Sequence, residues 1–194
     1  MIHSLRRSIF GMKAILLPTL LLSCALYQVS PAQTCREVVR DASGRVVQTV
    51  ERQKQAGGTE RAVIRDASGR ITGTATTQAG GGSTARTQYR DASGRTTGSA
   101  TTTTSQGGIA QTTYRDGSGR MAGSASTSRL GTTGSQTQFR DASGRLTGSE
   151  TAQGNGTMTS TRRDSSGRVT GNSTGTGKCQ GVVRVPAPPA GAKK

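Results

Sequence analysis

The chain has 194 residues, a formal net charge of +16 and an aromatic content of only 3%, with no tryptophan. This length suits one domain, but the composition excludes the thick aliphatic and aromatic core of most globular enzymes. Its 28 glycines, together with abundant serine and threonine, indicate either a repetitive β protein or a chain that stays disordered.

The first 32 residues have the organisation of a secretory signal peptide. Basic residues lead into a short apolar run at 14–22, and Ser30 and Ala32 supply small residues before a cleavage site. The apolar run is much shorter than the roughly 18 residues that a membrane span needs. The sequence therefore predicts export of a chain that begins at residue 33.

A second processing signal lies within the same segment. The residues Leu21-Leu22-Ser23-Cys24 resemble a bacterial lipobox, in which the cysteine is lipidated and holds the mature protein at a membrane. The residues after Cys24 are less polar than a typical lipoprotein tether. We therefore expect a secreted, periplasmic or cell-surface protein, with lipid anchoring through Cys24 as the alternative.

A hexapeptide of the form RDASGR recurs six times from residue 40 onward. Its aspartates are 25 residues apart, except for a last interval of 23, and such regularity is typical of a repeat architecture. Aspartate suits the first position of a type I turn, and glycine suits the left-handed position that closes a three-residue hairpin loop. The motif aspartates are Asp41, Asp66, Asp91, Asp116, Asp141 and Asp164.

The flanks of each motif are rich in threonine, aromatic and β-branched residues, as β-strands are. A glycine-rich break inside each interval supplies a second reversal, so each unit predicts one hairpin. We expect an all-β domain over 33–185, an antiparallel meander of six hairpin repeats in a rolled sheet that is either open or closed, and a disordered tail at 186–194. Because large apolar residues are few, failure to fold alone is the alternative.

The arginines of the motif fall into two groups by the period of two in a β-strand. The arginine after the glycine lies opposite the aspartate, so their charges are expected to neutralise each other. The arginine before the aspartate has no such partner, and a row of these predicts binding of acidic polysaccharide, lipopolysaccharide or DNA. The favoured interpretation is that each arginine covers a neighbouring apolar residue and serves solubility and edge protection, with polyanion binding as the alternative. The row comprises Arg40, Arg65, Arg90, Arg115, Arg140 and Arg163.

Cys35 and Cys179 open and close the repeat array within matching C-x-x-V-V-R segments. An even number of cysteines in an exported chain favours a disulfide bond. A flat sheet of about twelve strands would hold these two residues far beyond the separation that a disulfide allows. An intramolecular bond therefore requires closure of the sheet, whereas an open sheet predicts bonds to other chains.

Catalysis and cofactor binding have little support in these residues. The chain from residue 33 onward has no histidine, and the motif serines have no base beside them. One aspartate per repeat does not supply the clustered oxygen ligands of a calcium site, and the glycine clusters lack the lysine of a phosphate loop. We expect no enzyme activity, no metal, no cofactor and no small-molecule substrate.

The segment FRDASGRLTG at 139–148 resembles the bacterial Rhs or YD repeat, which centres on Y-D-x-x-G-R-L. The resemblance extends over 36–177 but matches only the turn core, because arginine stands beside aspartate where that family has tyrosine. In that family, strings of β-hairpins wind into shells around toxins or form surface structures. The resemblance therefore implies a hairpin array.

These features predict an exported bacterial repeat protein with a structural or adhesive role at the cell surface or in the envelope. A polyanion-binding module that uses the arginine row is the alternative. A third candidate is a fibre-forming protein whose threonine- and glycine-rich strands stack between chains, although the many charges oppose dry packing. The expected partners are polyanions or further copies of the chain.

Overall fold

Twelve antiparallel strands form a closed barrel in the computed structural model, which describes residues 34–177. Each strand pairs with its neighbours in sequence, and β1 pairs with β12 to complete the ring. The predicted all-β meander is confirmed. The strands are β1 (Thr34–Asp41), β2 (Val46–Lys54), β3 (Glu60–Asp66), β4 (Ile71–Ala79), β5 (Thr84–Asp91), β6 (Thr96–Thr104), β7 (Ala110–Asp116), β8 (Met121–Leu130), β9 (Gly134–Asp141), β10 (Leu146–Ala152), β11 (Met158–Arg163) and β12 (Val169–Thr176).

The D-x-S-G turns lie together at one end of the barrel and have the expected hairpin geometry. In the second repeat, the Gly69 N–H donates to the Asp66 carbonyl over 3.0 Å, and the Asp66 N–H donates to the Arg70 carbonyl over 2.9 Å. Gly69 has a φ of +81°, which glycine adopts without a steric penalty. The pairing then shifts by one residue between Ile64 and Arg65, as in a bulge beside a left-handed glycine.

Alternate residues of every strand face the interior of the barrel, as the period of two requires. The first strand of a hairpin contributes the larger groups, such as the buried Val39, Tyr89 and Tyr114. The second strand contributes mostly small ones, such as Gly98 and Ala100 in β6, and the larger Val50 and Arg52 of β2 are exceptions. Together they form a thin core whose buried members are Val50, Ala62, Ala75, Tyr89, Ala100, Tyr114 and Ala125.

Paired hydroxyl groups occupy the interior beside this apolar cluster. Their Oγ1 atoms lie 2.9 Å apart in the pair Thr77 and Thr87, and 2.8 Å apart in the pair Thr102 and Thr112. A third pair, Thr127 and Thr137, repeats the contact at 2.9 Å. Because each hydroxyl satisfies its neighbour, threonine fills the interior without leaving its polar atom unpaired.

A glycine on the second strand of five hairpins allows the next strand to come unusually close. A β-carbon on Gly98 would lie 2.5 Å from the carbonyl oxygen of Arg115, a separation that real side chains do not tolerate. Each equivalent glycine faces the interior and meets a backbone oxygen of its neighbour in the same way. The five positions are Gly73, Gly98, Gly123, Gly148 and Gly171.

The stagger between successive hairpins is nearly constant. Ile64 pairs with Gly73, which pairs on its other side with Asp91, so the register advances by two residues per hairpin. Five of the six junctions have this shift, and the junction between β10 and β11 has none, which matches the shorter interval of 23 residues. Five shifts of two residues give a total stagger of ten, and a stagger of this kind accompanies barrel closure.

Four interacting polar side chains lie inside the barrel beside the seam between β1 and β12, and we call them the seam cluster. Glu37 accepts a hydrogen bond from Arg52 Nη2 over 3.1 Å and another from Ser173 Oγ over 2.7 Å. The hydroxyl groups of Ser173 and Ser160 lie 2.6 Å apart. These four residues join β1, β2, β11 and β12, so they connect the two ends of the repeat array.

Closure of the sheet bears directly on the predicted disulfide. Cys35, near the start of β1, is disulfide-bonded, and a β-carbon on Gly177 would lie 2.9 Å from the Cys35 Cα. Cys179 lies outside the described residues, so its bond to Cys35 stays a prediction. Cys24, the predicted signal segment 1–32 and the predicted tail at 186–194 also lie outside them.

Candidate polyanion-binding site

Twelve arginines flank the six D-x-S-G turns at one end of the barrel, and we call these arginines and turns the turn crown. Six of them, the leading arginines, precede the aspartates, and six, the following arginines, come after the glycines. All twelve are exposed except Arg65, which is half-buried. The leading arginines are the predicted row, and the following arginines are Arg45, Arg70, Arg95, Arg120, Arg145 and Arg168.

Each leading arginine is held by its own turn. Nη1 of Arg65 donates to the carbonyl oxygen of Gly69 over 3.0 Å, and the equivalent bond forms in all six repeats. The interpretation that these arginines have no local partner is therefore wrong, because the turn carbonyl is their partner. The bond uses one of five guanidinium donors and fixes the direction of the charged group.

The carboxylate of each turn aspartate accepts hydrogen bonds from groups of its own turn. Oδ1 of Asp66 accepts from the Ser68 hydroxyl over 2.7 Å and from the N–H groups of Ser68 and Arg70, each over 2.9 Å. These bonds, led by that of the Ser68 hydroxyl, lower the pKa of Asp66, because they stabilise its charged form. The pKa values of Asp41 and Asp116 are lowered in the same way.

The expected pairing between the aspartate and the following arginine is a longer-range attraction and not a direct ion pair, since the charge of Arg70 adds a small part to the lowered pKa of Asp66. The following arginine contributes its backbone N–H, as Arg70 does to Asp66. Arg52 and Glu37 form an ion pair inside the barrel, whereas no turn aspartate within residues 34–177 forms one. The twelve guanidinium groups of the turn crown are consequently not held in direct ion pairs by the six turn carboxylates.

Closure of the sheet turns the predicted row of leading arginines into a ring. Neighbouring hairpins are two strand spacings apart, which places successive leading arginines roughly 9–10 Å from one another. Each turn carries two arginines and one aspartate, so six turns give the crown a formal charge of +6. Exposed arginines also occur near the opposite end of the barrel, and these include Arg36, Arg61 and Arg86.

No group of three histidine, cysteine, aspartate or glutamate side chains within residues 34–177 is arranged to hold a metal ion. In the same range, no helix has the length and apolar character needed to cross a membrane.

Comparison with protein-family models and with curated proteins finds no match for this chain. The geometry of the turn crown is consequently the main indication of function.

The two tyrosines of the barrel provide a pH-dependent test of the described interior. Burial raises the pKa values of Tyr89 and Tyr114 above the ordinary value of 10.0. A group whose pKa is raised in the folded state contributes its full stabilisation below its unfolded pKa. That contribution is lost as the pH rises from the unfolded pKa through the folded pKa. We therefore expect the phenols to ionise only as the barrel unfolds in strong alkali.

This expectation is measured by alkaline titration of the Tyr27→Phe variant, in which Tyr89 and Tyr114 are the remaining tyrosines. Phenolate absorbance should rise together with the loss of the β-sheet circular dichroism signal. Ionisation of either phenol near pH 10 in a barrel that keeps its circular dichroism would contradict the buried positions.

Proposed function

We propose that the protein is an exported, non-enzymatic adhesion protein of the bacterial envelope or cell surface that binds polyanions through the turn crown. This proposal joins the adhesive role and the polyanion-binding role that the sequence predicts. One observation carries it: all six leading arginines are fixed in the same way, each by a hydrogen bond to its own turn carbonyl.

The fixed orientation of these arginines favours binding of a repeating anion. A side chain that is already ordered loses less conformational entropy when a ligand arrives. Guanidinium groups also match the geometry of phosphate, sulfate and carboxylate groups, to which they donate two parallel hydrogen bonds. A ring of such groups at intervals of roughly 10 Å suits acidic polysaccharide, lipopolysaccharide or DNA, whose charges repeat along a polymer.

A fibre-forming role is less compatible with this barrel. Fibres of stacked strands grow from unpaired strand edges. Every strand from β1 to β12 is paired on both sides in the described sheet. The like charges of two turn crowns would also repel one another at close approach. We therefore favour adhesion through a polyanionic partner over assembly by strand stacking.

The proposal is tested by replacing crown arginines and measuring retention on heparin and on DNA across a range of salt concentrations. The triple substitution Arg65→Gln, Arg90→Gln and Arg115→Gln removes three cations of the turn crown. Because each lost phosphate contact reduces the logarithmic salt dependence by about 0.7–0.9, we expect a slope smaller by about 2–3 on DNA.

The matched control substitutes three exposed arginines away from the turn crown, Arg36, Arg61 and Arg86, by glutamine. It changes the net charge equally but should leave most of the retention intact. Equal losses in the two triple variants would show that binding follows overall charge and has no defined site. Failure of the unmodified protein to bind either polymer would overturn the proposed function.

A further inference from the structure

Most leading arginines have a hydroxyl or amide side chain beside them on the outer wall, contributed by the neighbouring hairpin. Arg65 is the cross-strand partner of Thr49, and Arg115 is the partner of Ser99 in the same way. Side chains that stand opposite each other on one face of an antiparallel pair have Cβ atoms about 4.5–5.5 Å apart. The five residues in this position are Thr49, Thr74, Ser99, Ser124 and Asn172.

The four hydroxyl groups in this position are available to a ligand. All four side chains are half-buried on the outer face. Within residues 34–177 their hydroxyl groups form no hydrogen bond, whereas the interior hydroxyl groups of Thr77 and Thr87 bond to each other. Each free hydroxyl can therefore both donate to and accept from a bound molecule.

An apolar side chain lies on the other side of the leading arginine in five of the six hairpins. Ile71 and Met121, the cross-strand partners of Arg65 and Arg115, are 42% and 50% exposed. The arginines therefore do not cover these apolar groups completely. The residues in this position are Val46, Ile71, Met121, Leu146 and Val169, and Thr96 takes it in the third repeat.

These neighbours give a leading arginine a three-part set, and we call the ring of leading arginines with both groups of neighbours the wall band. Nη1 of Arg65 reaches the Gly69 carbonyl in the turn over 3.0 Å. Thr49 and Ile71 stand level with the backbone of Arg65, farther from the turn. Each set thus presents a cation nearer the turn and hydroxyl and apolar groups on the side away from it. The sets follow one another at roughly 9–10 Å.

A uronic acid in a polysaccharide is complementary to such a set. Its carboxylate lies at one edge of the sugar ring, its hydroxyl groups lie at other edges, and C–H groups cover its faces. The carboxylate accepts two parallel hydrogen bonds from a guanidinium group, and the sugar hydroxyl groups bond to threonine or serine. The apolar side chain packs against the C–H groups. When every second sugar is a uronic acid, the charges repeat at an interval similar to that of the sets.

DNA matches the wall band less well in both of its forms. Duplex DNA has a persistence length of about 500 Å. The circumference of a barrel of twelve strands is only about 60–80 Å, so a straight duplex touches few sets. Single-stranded DNA binds proteins largely by stacking its bases on exposed aromatic rings. The aromatic side chains of the described barrel, Tyr89, Tyr114 and Phe139, belong to its interior.

We infer that the wall band binds an acidic polysaccharide that contains uronic acid, with the sugar chain lying sideways on the outer wall across several hairpins. The inference rests on the proposed function, because it names the polyanion that the leading arginines bind. A polysaccharide turns at its glycosidic bonds and can follow the curved wall from one set to the next. Each contact after the first is intramolecular, so several weak contacts add up to firm attachment.

The probe is an end-labelled hyaluronan oligosaccharide, in which every second sugar is a glucuronic acid. Fluorescence anisotropy compares its binding with that of a labelled polyglutamate peptide that has the same number of carboxylates, at one salt concentration. Polyglutamate has the charges but neither sugar hydroxyl groups nor sugar C–H faces. We expect the oligosaccharide to bind more tightly by about tenfold or more.

A band variant removes the hydroxyl groups and keeps every arginine. It carries Thr49→Val, Thr74→Val, Ser99→Ala and Ser124→Ala. We expect its affinity for the hyaluronan oligosaccharide to fall by about tenfold or more, because hydrogen bonds to the sugar are lost. Its retention on DNA should stay unchanged.

The matched control removes hydroxyl groups from the outer wall about two residues, or roughly 7 Å, farther from the turns. Its substitutions are Thr76→Val, Thr101→Val, Thr151→Val and Thr174→Val, and its affinity for the oligosaccharide should stay unchanged. Circular dichroism of both variants verifies that the barrel is folded.

The results separate this inference from the proposed function. If the unmodified protein is retained on heparin and DNA but binds hyaluronan no more tightly than polyglutamate, the polysaccharide inference is overturned and polyanion binding stands. If it binds none of these polymers, both fail. If the band variant binds hyaluronan as tightly as the unmodified protein, or loses DNA retention to the same extent, the role of the wall band in sugar recognition is overturned.

Discussion

Replacement of Arg52 by methionine is expected to lower the free energy of unfolding by about 3–5 kcal/mol. Arg52 and Glu37 form an ion pair at 3.1 Å, and each side chain is only 10% exposed. Methionine fills much of the arginine volume but leaves the Glu37 carboxylate inside the barrel without its countercharge. The loss is measured by chemical denaturation followed by circular dichroism.

Two further variants identify the cause of this loss. In the double variant Glu37→Gln and Arg52→Met, no charge of the pair remains, so we expect recovery of most of the lost stability. Glutamine can still accept the hydrogen bond of Ser173. The exposed Arg61→Met is the control and should change stability by less than about 0.5 kcal/mol. A double variant as unstable as Arg52→Met would contradict the assignment to an unpaired buried charge.

Replacement of Gly98 by alanine is expected to lower the free energy of unfolding by about 1–3 kcal/mol. The new β-carbon would lie 2.5 Å from the Arg115 carbonyl oxygen, so β6 and β7 must separate and weaken their hydrogen bonds. Thermal denaturation measures the effect, and a loss of β-sheet signal before the main transition would indicate local opening of this strand pair.

Gly81→Ala is the matched control, because it makes the same chemical change in the loop between β4 and β5. A β-carbon there would meet no atom within 4 Å, so we expect a change of less than about 0.5 kcal/mol. Similar losses for the two variants would assign the cost to general properties of glycine and would contradict the steric explanation at Gly98.

The local parts of the fold could be predicted because they depend on neighbouring residues. In D-A-S-G, an aspartate and a glycine define one turn, and the period of two then assigns Tyr89 and Arg90 to opposite faces. Closure is a property of pairings between repeats, such as Gly73 with Asp91, and of the β1–β12 seam. Motif spacing does not determine these registers by itself. The sequence alone therefore could not distinguish a closed barrel from an open or rolled sheet.

The turn crown was predicted only in part for a related reason. Residue types identified the arginines, but the acceptor of Arg65 is a backbone carbonyl, that of Gly69, which residue types do not indicate. The two charged members of the seam cluster, in contrast, could have been predicted from the sequence. Glu37 lies two residues before Val39, and Arg52 lies two residues after Val50. The period of two places both charges on the buried face, where they require partners.

The two-residue advance between hairpins bears on how such a chain changes in size. A duplicated unit of the common length adds two strands and two residues of stagger together, so the proportion between strand number and stagger is nearly kept. Tandem duplication or loss of whole units would therefore widen or narrow the barrel while the terminal strands still meet. A gain of one strand alone would reverse the direction of β12 and destroy its antiparallel pairing with β1. The hairpin is thus the smallest increment by which this architecture can evolve.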